Sequence, residues 1–183
     1  MILVAYGDAQ AAASHVKKPF TWAVEDHWNT TRGNRAHPDN IPHSFGYKLS
    51  QLMHVGFHAG MAKDATVDDV WNAYIKLKPT SKLAVVVSWA PEHIVDLDKI
   101  EAFSLEMNMN GTPHCFVNGG ARFKYNNNKH WLWDPSKQTV ADWGKARGLL
   151  GPEGYLTQQG HTQLANDMFL HLTKQLPNLI VIT

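Results

Sequence analysis

A chain of 183 residues and 20.5 kDa, 44% hydrophobic and 18% charged, has the length of about one domain and the composition of a globular one, which excludes intrinsic disorder. Seventeen Lys and Arg against sixteen Asp and Glu leave a formal charge of +1, with the basic residues scattered, so no phosphate-neutralising stripe indicates a nucleic-acid partner. The lone cysteine, Cys115, excludes an internal disulfide, and stability must come from packing.

Met1 to Asp8 has no basic segment and too short an apolar run for a signal peptide, and no stretch approaches the roughly 20 apolar residues of a membrane span. The expectation is a soluble, cytoplasmic protein with no membrane partner. Ile2 to Tyr6 reads as the first strand, ended by the turn signal Gly7-Asp8. A long connection follows, a loop-rich insertion at about 10–44 within a single domain of 1–183; it holds Pro19, Pro38, Pro42, Trp22 and Trp28. Phe45 to Leu52 reads as a helix leading into a second strand, His54 to Ala59, stopped by Gly60.

Thr66 is an N-cap with Asp69 three residues on, and Val67, Val70, Trp71, Tyr74 and Ile75 keep a helical period up to Leu77, before Pro79. Leu83 to Val87 is an unbroken apolar run of strand length, as in a central parallel strand covered on both faces; Ser88-Trp89-Ala90-Pro91 reads as the loop after it. Asp96 to about Asn108 reads as helix and His114 to Asn118 as a fourth strand, ended by Gly119-Gly120. A short helix is expected over Thr139 to Arg147 and a final one over Thr157 to Leu176, with Leu164, Met168, Phe169 and Leu172 on one face; Leu179 to Ile182 is a candidate edge strand.

Strands alternating with helices argue an α/β, three-layer α/β/α sandwich around a parallel, flavodoxin-like central sheet. In such sheets ligands bind at the C-terminal strand ends. That rule directs attention to Gly7-Asp8-Ala9-Gln10, Ala59-Gly60-Met61, Ser88-Trp89-Ala90 and Asn118-Gly119-Gly120. Eleven histidines raise the question of a metal, but on a strand His54 and His58 would lie about 13 Å apart, too far to share one ion. No metal and no cofactor is expected.

At these loops the chain resembles the SGNH hydrolase superfamily, the GDSL-like esterases and lipases, and in particular its small bacteriophage-encoded members. Gly7-Asp8-Ala9 is similar to the family's Gly-Asp-Ser block, and Gly60 to its oxyanion-hole glycine. Gly154-Tyr155-Leu156-Thr157-Gln158-Gln159-Gly160-His161 resembles the C-terminal Asp-x-x-His-Leu-Thr-x-x-Gly-His type of block. The resemblance implies an SGNH-type sheet and acyl transfer, in which a serine attacks a carbonyl, a histidine takes its proton and an aspartate orients that histidine. Backbone N–H groups, the glycine and an asparagine hold the oxyanion. A phage origin implies a location in the host cytoplasm or the virion.

Laid on this chain, the resemblance puts Ala9 at the serine position, Tyr155 at the histidine position and Pro152 at the aspartate position. Ala9 has no nucleophile, and a tyrosine, whose phenol ordinarily titrates near 10, is a poor base at neutral pH. The asparagine block falls on Ser88-Trp89-Ala90, without an asparagine. The site therefore reads as degenerate, and the protein as a binding or structural one, a pseudoenzyme. An alternative is an active esterase whose nucleophilic serine has been replaced by Ala9, with His161, six residues beyond Tyr155, as an alternative base.

A third reading is a nucleotide- or sugar-binding module in the same crevice, although Asn118-Gly119-Gly120-Ala121 is too short for a phosphate fingerprint. The remaining candidates carry bland readings beside functional ones. Asp8 at the strand end is either a site carboxylate or a turn stabiliser. Cys115, between His and Phe in a strand, reads as a small buried hydrophobe rather than a nucleophile. Asp64, Asp68 and Asp69 cap the helix that follows them. Trp71 reads as core. Trp22, Trp28, Trp131 and Trp133 lie in loop-like stretches suited to stacking on a ligand. Trp89, Trp22 and Asn118 are the candidate binding residues, and a small-molecule ester or a glycan is the candidate ligand.

Overall fold

The computed structural model describes residues 1–8, 10–13, 16–17, 36–60, 66–90, 96–119, 130–133, 137–151 and 154–175. Four strands, β1 (Ile2–Gly7), β2 (Gly56–Ala59), β3 (Leu83–Trp89) and β4 (His114–Asn118), form one parallel sheet in the order β2-β1-β3-β4. Five α-helices accompany them among the described residues: α1 (Phe45–Met53), α2 (Val67–Leu77), α3 (Leu97–Met109), α4 (Val140–Ala146) and α5 (Gln158–Gln175).

The strands are apolar on both faces because both faces are covered. Leu3 and Ala5 of β1, Ala84 and Val86 of β3, and Cys115 and Val117 of β4 pack with α1, α4 and α5. The alternate residues Val4, Tyr6, Val85, Val87, Trp89 and Phe116 pack with α2 and α3. This period of two divides the core into two layers and gives the α/β/α sandwich expected of the sequence.

The helix signals operate as anticipated. Thr66 and Asp69 make a reciprocal capping box at the start of α2. Asp68 in the same turn pairs with Lys99 on α3 at 3.0 Å. Ser44 caps α1, its side chain accepting the Tyr47 N–H. Trp71 packs against Phe103 while its indole N–H donates to Glu106.

Two boundaries differ from the sequence reading. The second strand begins at Gly56, not His54: His54 takes the left-handed conformation (φ 54°) that closes α1, and the Val55 N–H returns to the Ser50 carbonyl. His54 and His58 therefore do not share a strand. The third strand runs on through Ser88 and Trp89, which the sequence assigned to a loop, because Ser88 pairs with Gly7 and Trp89 with Asn118 on either side. The stretch Leu179 to Ile182 lies outside the described residues.

At the β4 edge the 130–132 segment adds a rudimentary fifth strand: Phe116 N–H donates to the His130 carbonyl and Leu132 N–H to the Phe116 carbonyl. One rung further on, the Gln175 carboxamide takes the place of a neighbouring strand. Its Oε1 accepts the His114 N–H at 3.1 Å, and its Nε2 donates to the His114 carbonyl at 2.8 Å.

Candidate functional site

Three adjacent strands deliver their C-terminal ends to one place, and Asp8 is at its centre. Gly7 turns the chain there with φ 135°, and a Cβ on it would stand 2.3 Å from the Ser88 carbonyl oxygen, so only glycine fits. The Asp8 N–H then donates to that same carbonyl at 3.2 Å. Asp8 Oδ1 accepts the Ser88 hydroxyl at 2.7 Å and the Ala11 N–H at 3.3 Å.

Over the other oxygen lies Gly119, whose added Cβ would fall 2.0 Å from Asp8 Oδ2. Burial raises the Asp8 pKa above the ordinary carboxylate value, opposed by the hydrogen bonds from Ser88 and the loop N–H groups. Asp8, Ser88 and Gly119 thus form one unit across β1, β3 and β4.

Gln10 performs the second joining step. Its Nε2 donates to the Gly154 carbonyl at 3.0 Å and its Oε1 accepts the Leu156 N–H at 3.1 Å. The two bonds bracket Tyr155, so the residue before the last helix is pinned to the loop after the first strand. A short antiparallel bridge between Leu150 and Leu156, with the Gly151 N–H donating to the Tyr155 carbonyl at 2.7 Å, shapes that segment. Ala9 stands between the described neighbours Asp8 and Gln10, and both it and Pro152 lie outside the described residues.

The other candidates fall as follows. The Gly60 N–H donates to the Ala5 carbonyl at 2.7 Å, which commits the backbone donor that an oxyanion would need. His161 is fully buried in the first turn of α5 and stacks on Phe45. Its Nδ1 accepts the Phe45 N–H at 3.1 Å, satisfying an otherwise orphan donor at the start of α1. Burial, assisted by nearby His43, pushes its pKa down to about 3, so the ring is neutral and its acceptor nitrogen is occupied.

Trp89 is also fully buried, edge-on to Phe103 and Phe116, and presents no open face for stacking. Asn118 is fully buried at the end of β4. Trp22, Trp28 and Asp64 lie outside the described residues. Trp131 is buried against Phe116, and Trp133 stacks on Trp143. Cys115 is buried in the core, which raises its thiol pKa.

Sequence reasoning pointed to these strand ends but gave no role to Gln10, Ser88 or Gly119. Each stood in a block singled out by the strand-end rule. Its partner is remote in sequence, so no local pattern marks the pairing. Tyr6 was also missed as a polar group: its hydroxyl is buried without a hydrogen-bond partner among the described residues, and its pKa is raised by burial and by Tyr74.

No family model and no curated protein matches the chain. A solved structure assigned to the lipolytic G-D-S-L family, from Desulfitobacterium hafniense DCB-2, is similar to it over 93% of this chain and 99% of that one. The TM-score is 0.54 and the sequence identity 12%. The similarity is one of fold, and the parallel sheet with its covering helices is of the SGNH type. Among the described residues no helix is long and apolar enough to cross a membrane.

Proposed function

We propose that this SGNH-type domain does not use a Ser-His-Asp mechanism and serves as a binding or structural protein, related to the phage-encoded members it resembles. Its ligand would be a small ester or a glycan at the C-terminal strand ends. The observation that carries this reading is the Gln10 clamp. It holds Tyr155 beside the loop that contains Ala9, so the paired first and last blocks carry a phenol and a methyl group in place of a base and a nucleophile.

The nearby imidazole offers no replacement in this arrangement. His161 gives its Nδ1 lone pair to Phe45 N–H and is neutral. A carboxyl–hydroxyl pair remains, Asp8 with Ser88, but Ser88 is fully buried.

The lipolytic name of the structural neighbour favours a second reading, an ester hydrolase seen with Ala9 in place of serine. Hydrolysis of p-nitrophenyl acetate by this chain and by Ala9→Ser, together with fluorophosphonate labelling, separates the two. No turnover and no labelling of either form is the result expected. Turnover by the serine form alone overturns the proposal and establishes a disabled esterase.

A further inference from the structure

The chain contains two Asn-Gly pairs, Asn110-Gly111 and Asn118-Gly119, and the fold places them in opposite settings. Asparagine deamidates most readily before glycine, because no side chain hinders attack by the following backbone nitrogen. We infer that Asn110 is a site of spontaneous covalent modification, converted through a cyclic imide with Gly111 to isoaspartate and aspartate, and that the fold protects Asn118 from the same reaction.

The Gly111 backbone nitrogen, its proton lost to hydroxide, attacks Asn110 Cγ. The new N–Cγ bond closes the imide ring while the Cγ–Nδ2 bond breaks, and the amide nitrogen leaves as ammonia with a proton taken from water. A water molecule then opens the ring. Opening at Cγ restores the ordinary backbone with an aspartate, and opening at the backbone carbonyl carbon routes the chain through the side chain as isoaspartate. One water is consumed and one ammonia released, with no oxidant, reductant or cofactor.

Asn110 and Gly111 close α3. The Gly111 N–H donates to the Asn108 carbonyl at 3.0 Å and the Thr112 N–H to the Met107 carbonyl at 2.8 Å, with Gly111 in the left-handed conformation at φ 66°. Both residues of the pair are exposed, and a Cβ on Gly111 would meet nothing within 4 Å. The Asn110 carboxamide is held only by a 3.4 Å bond from its Nδ2 to the Tyr74 hydroxyl, at the long limit for such a contact. Asn110 stands at ψ 0°, and imide closure requires rotation about ψ to bring the Gly111 nitrogen onto Cγ. That rotation breaks the two closing bonds at an exposed helix end, a local opening of low cost.

Asn118 is fully buried and pairs with Trp89 in the sheet, and the Gly119 N–H donates to the Trp89 carbonyl at 2.9 Å. Asp8 Oδ2 closes the space around Gly119, 2.0 Å from where a Cβ would stand. Turning the Gly119 nitrogen toward Asn118 Cγ therefore means parting β4 from β3 and displacing Asp8, an opening close to global unfolding.

Either product puts a negative charge at the carbonyl end of α3, of the same sign as the end of the helix dipole. Isoaspartate also adds a backbone carbon between Met107 and Thr112, so the two closing bonds do not re-form together. Thr112, whose hydroxyl bonds that of Tyr74, leads into β4, and the modified chain loses the fixed junction between helix and strand.

The test is incubation of the whole chain at pH 8 in ¹⁸O-labelled water, with peptide mapping by electron-transfer fragmentation and the free peptide Met-Asn-Gly-Thr as a clock. The Asn110 peptide is expected to react within ten-fold of the free peptide, to take up one labelled oxygen, and to give isoaspartate in excess of aspartate. Asn118 is expected to react at least ten-fold more slowly than Asn110, and to lose that protection in guanidinium chloride. An Asn110 that stays intact while the free peptide reacts overturns the inference, as does aspartate without isoaspartate. Equal rates at the two sites in the folded chain, or an Asn118 equally slow when unfolded, overturn the protection by the fold.

Discussion

The carboxamide of Gln10 accepts the backbone N–H of Leu156, 146 positions away in sequence, at 3.1 Å. Together with the reciprocal bond to the Gly154 carbonyl, it joins the loop after the first strand to the segment before the last helix. Gln10→Ala leaves the buried Leu156 N–H without an acceptor, and a cost of about 1–3 kcal/mol follows. Gln10→Glu keeps that acceptor but turns a carboxylate oxygen toward the Gly154 carbonyl, so it is expected to be at least as unstable as Gln10→Ala at pH 7. Protonation lets the glutamic acid donate to Gly154, and Gln10→Glu should regain stability relative to Gln10→Ala near pH 4. Urea unfolding of the two variants at both pH values measures the crossing.

The Asp8–Ser88 pair predicts the opposite of ordinary acid denaturation for one group. Because the folded state raises the Asp8 pKa above its ordinary value of 3.8, folding favours the protonated carboxyl. That contribution is fully present below the unfolded pKa and is lost as pH rises through the folded one. Asp8→Asn keeps an oxygen for Ser88 and Ala11 without the charge. Its stability relative to the parent chain is therefore expected to rise with pH from about 4 upward, levelling off above the folded pKa. A difference that stays flat in chemical denaturation across pH 3.5 to 8 would show that Asp8 is not held protonated.

The contrast between what the sequence discloses and what it hides follows the separation of the interacting residues. The unbroken run Leu83 to Val87 and the Thr66/Asp69 box are local signals, and both elements stand where they were expected. The extension of β3 through Ser88 and Trp89 is set by neighbours on β1 and β4, and a single-strand pattern cannot register it. His54 was misplaced because the left-handed closure of a helix by a non-glycine residue leaves no compositional mark, whereas His54 to Ala59 reads as strand. The fold-level pattern was accordingly legible through its repeats of apolar strand and amphipathic helix. The candidate site was legible only as a set of strand ends. The contacts that join it, Asp8 with Ser88 and Gln10 with Leu156, span 80 and 146 positions.

Gly119 gives a steric test of the same centre. A methyl group there would stand 2.0 Å from Asp8 Oδ2 and 2.9 Å from Ser88 Oγ, so Gly119→Ala must displace the carboxyl. The expected cost is about 1–3 kcal/mol, that of overpacking. In an Asp8→Ala background the nearest clash is removed, and the cost of Gly119→Ala should fall by more than half. The coupling comes from a double-mutant cycle of urea midpoints. Additive costs would mean that the glycine is required for some other reason.

His161 supplies the acid limb of the stability profile. Its folded pKa of about 3 lies below the ordinary value of 6.5, so the neutral ring is the form that folding favours. Stability from this group is fully present above pH 6.5 and falls as pH drops toward 3, with a slope of up to about 1.4 kcal/mol per pH unit. His161→Gln can still accept the Phe45 N–H through its carboxamide oxygen, but it has no proton to take up. The variant is expected to be less stable than the parent at pH 8, since the stacking on Phe45 is lost, and to close that gap progressively between pH 6.5 and pH 4. If the gap stays constant over that range, the ring is protonated in the folded protein, and the imidazole would then return as a group able to exchange protons beside the first and last blocks.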